Sequence, residues 1–141
     1  MLRNNPITGP ATPTRSAGVV KSVYGATYSN AFGAPAFNSF GGSNIIGNVV
    51  LDDASTVVKY TGHDYSGLNA GGTDQGGNFN VTTAPAATFL HMDVWSPNFT
   101  SFEVKLESTN GAALLVNVPG AKTQRAWNSY DIPLSSYPGL I

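Results

Sequence analysis

His91, Asp93 and Trp95 stand two residues apart in "FLHMDVWSP", residues 89–97. Successive side chains of an extended strand point to opposite faces. These three therefore share one face, and Leu90, Met92 and Val94 share the other. An imidazole beside a carboxylate is the raw material of general acid–base chemistry. The same pair serves equally well as a hydrogen-bonded polar element of a strand. A nucleophile needs an activating base within reach, and no Ser or Thr motif supplies one; "GxSxG" is absent. His91 and Asp93 therefore read as architecture, and Trp95 as the residue of that row open to a ligand. No enzyme activity is expected.

Paired carboxylates could serve a glycosidase. The candidates are Asp52, Asp53, Asp64, Asp74, Asp93, Glu103, Glu107 and Asp131, and their spacing singles out no pair. Structural calcium takes oxygen ligands from loop carboxylates and carbonyls. "LDDAS" and "GGTDQGGN" are suitable loops without an EF-hand pattern, which makes Asp52, Asp53 and Asp74 the calcium candidates. "GGTDQGG" lacks the Lys-Ser/Thr and following helix of a phosphate loop. Sugar binding asks for aromatic faces with a few amides or carboxylates beside them. The chain has 2 Trp, 6 Tyr and 7 Phe, enough for a site as well as a core. Tyr28, Phe32, Phe37 and Phe40 lie in one loop. Tyr60, His63 and Tyr65 lie with Asp64 in another. Trp95, Tyr65, His63 and Asp64 are the ligand-binding candidates, whereas Trp127, at the start of a strand, is assigned to the core.

The elements that must position these residues read as strands. No stretch sustains a 3.6-residue apolar period with caps. "VVKSVY" is a first strand candidate, and "ATYSNAFGAPAFNSFGGSN" a long loop rich in glycine and aromatics. "NIIGNVVLDD" is a strand whose glycine suggests a bulge, and "STVVKYTG" is a strand. "HDYSGLNAGGTDQGGNFNVTTAP" mixes short strand pieces with glycine turns. "TFLHMDVWS" and "SFEVKLES" are strong strands that "PNFT" should join as a hairpin. That pairing would gather His91, Asp93, Trp95, Glu103, Lys105 and Glu107 on one face, with Lys105 meeting Asp93 or a glutamate. "AALLVNVPG" and "RAWNSYDIPLSSY" complete about eight strands, the last ending or running at an edge near Pro133. The expected fold is all-β, a two-sheet antiparallel β-sandwich of jelly-roll type, over residues 18–141. Residues 1–17, with three prolines, should form an extended arm.

Composition narrows the function. The net charge of -1 argues against nucleic acid, which needs a concentrated positive field. No run approaches the roughly 18 apolar residues of a membrane span, and "MLRNNPITGP" has no signal-peptide core. With no cysteine, disulfides, thiolate zinc sites and a cysteine nucleophile are excluded. Charged residues are only 11% of the chain against about 25% usually, so Ser, Thr, Asn and Gly must supply the polar surface. Such surfaces are common on extracellular and virion proteins.

"YTGHDYSGLNAGG", "FLHMDVWSPNFTSFEVKLES" and "RAWNSYDIPLSSYPGL" occur in that order. Together they resemble the carbohydrate-binding-module type of jelly roll attached to secreted laminarinase-like glycoside hydrolases and found in some phage structural proteins. The matching segments are Tyr65-Ser66-Gly67, Leu90 to Trp95, Phe102 to Leu106, and Trp127 to Leu134. The family usually carries a tryptophan beside the glycine pair where this chain has Phe40-Gly41-Gly42. It also continues with two more strands after Ile-Pro-Leu, so this chain should show an unpaired C-terminal sheet edge open to strand addition. The resemblance implies a non-catalytic module that attaches its parent protein or particle to a polysaccharide, outside the cell or on a virion surface. The alternative is a structural assembly subunit, a virion decoration or fibre protein or a filament, anchored to neighbouring subunits through residues 1–17.

Overall fold

Among the described residues, eight β-strands form where apolar and polar residues alternate or β-branched residues cluster. They are β1 (Ala36–Phe40), β2 (Asn44–Val50), β3 (Thr56–Thr61), β4 (Tyr65–Asn69), β5 (Phe89–Trp95), β6 (Glu103–Glu107), β7 (Ala113–Asn117) and β8 (Trp127–Pro133). The structure is a computed structural model and describes residues 4–42, 44–69, 80–108 and 110–140. Among these there is no α-helix, only short 3-10 turns at Ala17–Val19 and Leu134–Ser136. All strand pairing is antiparallel, in four ladders: β1 with β4, β2 with β3, β5 with β8, and β6 with β7. The chain divides into two compact units, Ile7–Asn80 and Val81–Ile141, the latter with Met1–Pro6.

The unit from Val81 onward owes its core to period-two alternation. Ile132 and Tyr137 are fully buried, with Val118 and Tyr130 nearly so. Against them pack Leu90, Met92 and Val94 of β5, Val104 and Leu106 of β6, and Leu114 and Val116 of β7. The apolar rows of both ladders thus meet on one cluster, where each large side chain contributes about 1.5–3 kcal/mol by leaving water. The two core tyrosines keep their hydroxyls bonded, as buried phenols must. Tyr130 donates to the Ala121 carbonyl at 2.8 Å and Tyr137 to that of Val104 at 3.1 Å. Asn128 also lies in the inward row but works on the backbone. Its amide donates to the carbonyls of Thr123 and Ala126, and its oxygen accepts from the Thr123 N–H, holding the turn that leads into β8.

The hairpin expected around "PNFT" does not form. The Ser96 carbonyl accepts from the Arg125 N–H at 2.9 Å, and that of Phe102 from the Val118 N–H at 2.9 Å. Each end of the connection thereby extends a different ladder. The apolar rows of β5 and β6 still share a core, but Glu103, Lys105 and Glu107 belong to the β6/β7 ladder. Lys105 pairs with Glu107 at 3.1 Å.

In the unit Ile7–Asn80, β1 through β4 make one long ribbon with a break. Phe40 pairs with Tyr65 on one side of it and Asn44 with Thr61 on the other, so the register passes through unchanged. The break has glycine on both strands. Gly41 and Gly62 have φ of 60° and 57°, and a side chain on Gly62 would meet the Gly42 carbonyl. The expected bulge in β2 is present, as a register shift between Ile45 and Gly47, with Gly47 at φ 92°. Two expectations are corrected. "VVKSVY" forms no named strand, only a bridge from Ser22 to Asn30, and its Val19 is 63% exposed. The long loop contains β1, because "AFNSF" finds a complete antiparallel partner in β4. Residues 7–15 are held to their own unit. Ile7 accepts from the Asp52 N–H, Gly9 donates to Asp53, and the Arg15 carbonyl accepts from Tyr28.

Candidate functional site

The outer face of the β5/β8 ladder collects the chemistry. Antiparallel register sets Phe89 opposite Pro133, His91 opposite Asp131, Asp93 opposite Ser129, and Trp95 opposite Trp127. The inward positions of β8, Asn128, Tyr130 and Ile132, are buried. The pleat therefore turns Trp127, Ser129 and Asp131 to the same side as His91, Asp93 and Trp95. Same-face pairs are about 7 Å apart along a strand, so the four pairs run for about 20 Å. Two tryptophans stand at one end, polar groups in the middle and Phe89, 48% exposed, at the other end.

Nδ1 of His91 lies 2.7 Å from Oδ1 of Asp131, and Nε2 lies 3.4 Å from Oδ2 of Asp93. Ser129 donates its hydroxyl to Asp93. The His91 and Asp131 side chains are about half exposed, at 46% and 48%, while Asp93 is mostly covered at 14%. Each carboxylate can take further donors. The Ser129 hydroxyl is engaged with a carboxylate rather than with the imidazole, so the cluster does not hold a Ser–His pair. Ser129 and Asp131 also border an open cleft of about 310 Å³, whose other wall is the segment from Val118 to Ala121. β5 is the one ladder partner of β8 among the described residues.

Trp127 was expected in the core. Its parity within β8 puts it in the outward row, half-buried and opposite Trp95. Asp131 and Ser129 also join the site without having been singled out. The signal was present in the sequence. "HMDVW" places His, Asp and Trp at alternate positions, and "WNSYD" places Trp, Ser and Asp so. Run antiparallel, the two motifs are complementary, but only if β8 is known to be the partner of β5.

The other ligand candidates, His63, Asp64 and Tyr65, lie together at the glycine break of the ribbon, in the unit Ile7–Asn80. Trp95 belongs to the other unit. Tyr65 stacks on Phe40, with ring centroids 5.6 Å apart and planes at 13°. Both rings are exposed, at 57% and 46%. His63 lies edge-on to Tyr60 at 5.2 Å, and its Nε2 is 3.1 Å from the Ser66 hydroxyl. Gly41 permits this crowding, since a side chain there would come within 2.6 Å of Oδ2 of Asp64 and 3.0 Å of the Tyr65 ring. Phe37 packs edge-on against Tyr24, so it serves packing.

Of the calcium candidates, Asp53 is occupied with the backbone. Its carboxylate accepts from the N–H groups of Gly9 at 2.8 Å and Ser55 at 3.0 Å. The Gly9 bond foremost, with those of Ser55, holds its carboxyl below the usual carboxylate range. Asp52 precedes it in the same turn, and Asp74 lies outside the described residues. Among the described residues no group of three His, Cys, Asp or Glu side chains is arranged to hold a metal ion, and no helix is long and apolar enough to cross a membrane.

Comparison with known proteins finds no matching family model, curated protein or solved structure. The likeness to carbohydrate-binding modules rests on the motif residues alone.

Proposed function

We propose that the chain is a non-catalytic glycan-binding module, a β-sandwich of jelly-roll type that attaches its parent protein or particle to polysaccharide. The observation that carries this reading is the outer face of β5/β8, where Trp95 and Trp127 stand opposite one another beside His91, Asp93, Ser129 and Asp131. Indole faces offer apolar surface to the C–H face of a pyranose, and the polar groups between them meet its hydroxyls. The sandwich is supported by the convergence of the β5/β8 and β6/β7 apolar rows on one core. The exposed Phe40/Tyr65 pair, with Asp64 and His63 beside it, offers a second aromatic surface of the same kind. Affinity per site is weak in such modules, and several copies on one particle make it effective. The module then works outside the cell or on a virion surface.

Affinity electrophoresis on gels containing β-glucan, agar or chitosan tests the reading. Retardation by at least one polysaccharide is expected, and Trp95→Ala and Trp127→Ala should abolish it while leaving the thermal transition in place. Free migration of the wild-type protein in every gel would remove the proposal.

A further inference from the structure

The polar centre of this face has a chemical asymmetry. Nδ1 of His91 is engaged with Asp131 at 2.7 Å. A neutral imidazole donates through one nitrogen only. When that nitrogen is Nδ1, Nε2 is an acceptor, and it faces a second acceptor, Oδ2 of Asp93, at 3.4 Å. In that tautomer the two acceptors can share one donor. An ammonium nitrogen seated over the pair reaches both atoms at hydrogen-bond distance. It carries three donors and a charge opposite to that of the carboxylate, whereas a hydroxyl brings one donor and no charge.

The surroundings favour the same ligand. β5 and β8 carry two carboxylates and no lysine or arginine. Of the cations before β8, Lys122 gives its ammonium to the carbonyls of Val118 and Gly120 and lies over the Tyr130 ring. Arg125 sits in the preceding turn with φ 59°. Trp95 follows Asp93 on the same face at about 7 Å, so a sugar bound at the carboxylate has an indole for its apolar side, and indoles also attract cations.

We infer that the glycan held by this face carries free amines: it is an amino sugar polymer whose ammonium group bridges Nε2 of His91 and the Asp93 carboxylate. This rests on the glycan-binding reading and names its ligand class. Uronate and sulfated glycans are repelled by the same two carboxylates.

The test titrates the whole protein, following tryptophan fluorescence, with four oligosaccharides of equal length: glucosamine, N-acetylglucosamine, glucose and uronate. The glucosamine oligomer should bind about tenfold more tightly than its acetylated counterpart, the worth of one charge-assisted hydrogen bond at a half-exposed site. Asp93→Asn should erase that preference, so that the glucosamine and N-acetylglucosamine oligomers bind alike. His91→Asn removes the second acceptor and should have the same effect, which covers the case in which the Asp93 variant fails to fold. Equal affinity for the two oligomers overturns the inference and leaves the glycan reading standing. An amine preference that survives the substitutions also overturns it, as bulk attraction between charges. Absence of binding by all four overturns the inference, and free migration in every polysaccharide gel as well removes the glycan reading with it.

Discussion

Tyr137 should be the most costly residue to remove from the unit that carries the candidate site. It lies in "SSYPGL", beyond the last strand, yet its side chain is fully buried. It packs with Val118, Tyr130 and Ile132, and its hydroxyl reaches back to the Val104 carbonyl at 3.1 Å. Tyr137→Phe removes that bond and keeps the ring, at a cost of about 1 kcal/mol. In a unit of this size that lowers the melting temperature by about 4–8 °C. Tyr137→Ala empties a ring-sized space, at about 3–5 kcal/mol, a large part of the 5–15 kcal/mol that holds a typical domain folded. Chemical denaturation followed by tryptophan fluorescence reads both, since Trp95 and Trp127 lie on the ladder that Tyr137 supports. Alkaline pH gives an independent check. Burial raises the Tyr137 and Tyr130 hydroxyls above their ordinary value of 10.0. A group whose pKa is raised by folding contributes stability that is complete below its unfolded value and is lost as pH rises through the folded one. Unfolding above pH 10 should therefore coincide with the appearance of tyrosinate absorbance. A loss below about 1 kcal/mol for Tyr137→Ala, on the scale of a surface substitution, would refute the placement of this tail in the core.

Two other positions give predictions in the ribbon unit. Ala54 holds φ 64° in the turn between β2 and β3, so Ala54→Gly should stabilise by about 0.5–1 kcal/mol, whereas Gly41→Ala, forced against Asp64 and Tyr65 at φ 60°, should destabilise by more than 1–2 kcal/mol; thermal melts of the two variants should move in opposite directions. Asp53→Ala releases the Gly9 N–H and should speed amide exchange and proteolysis within residues 7–15. Because folding lowers the Asp53 pKa from 3.8, its contribution is present above that value and lost as pH falls through the lower folded value, so exchange at Gly9 corrected for intrinsic rate should rise only in that acid range.

Strand parity was readable without a structure. Leu90, Met92 and Val94 pack on the core and His91 faces out, because period-two alternation is a local property of extended backbone. The bulge at Gly47 was readable for the same reason, from a glycine inside an otherwise β-branched strand. The glycine break at Gly41 and Gly62 was half readable. The glycines mark sharp backbone, but only pairing reveals that they fall in one break of a single ribbon, one on each strand.

Partner choice was not readable. "PNFT" has the length and composition of a hairpin turn, and local reasoning joins β5 to β6. The backbone groups at its two ends instead bond to Arg125 and Val118, far along the chain. That single change moves Glu103, Lys105 and Glu107 to another ladder and brings Trp127, Ser129 and Asp131 to the face of His91, Asp93 and Trp95. The sequence by itself determined which residues alternate, which turns need glycine and which side of each strand is apolar. Tertiary structure decided which strands meet, and with that the composition of the candidate site. Pairing between distant strands depends on closing long loops and burying a shared core, terms that no local window of sequence contains.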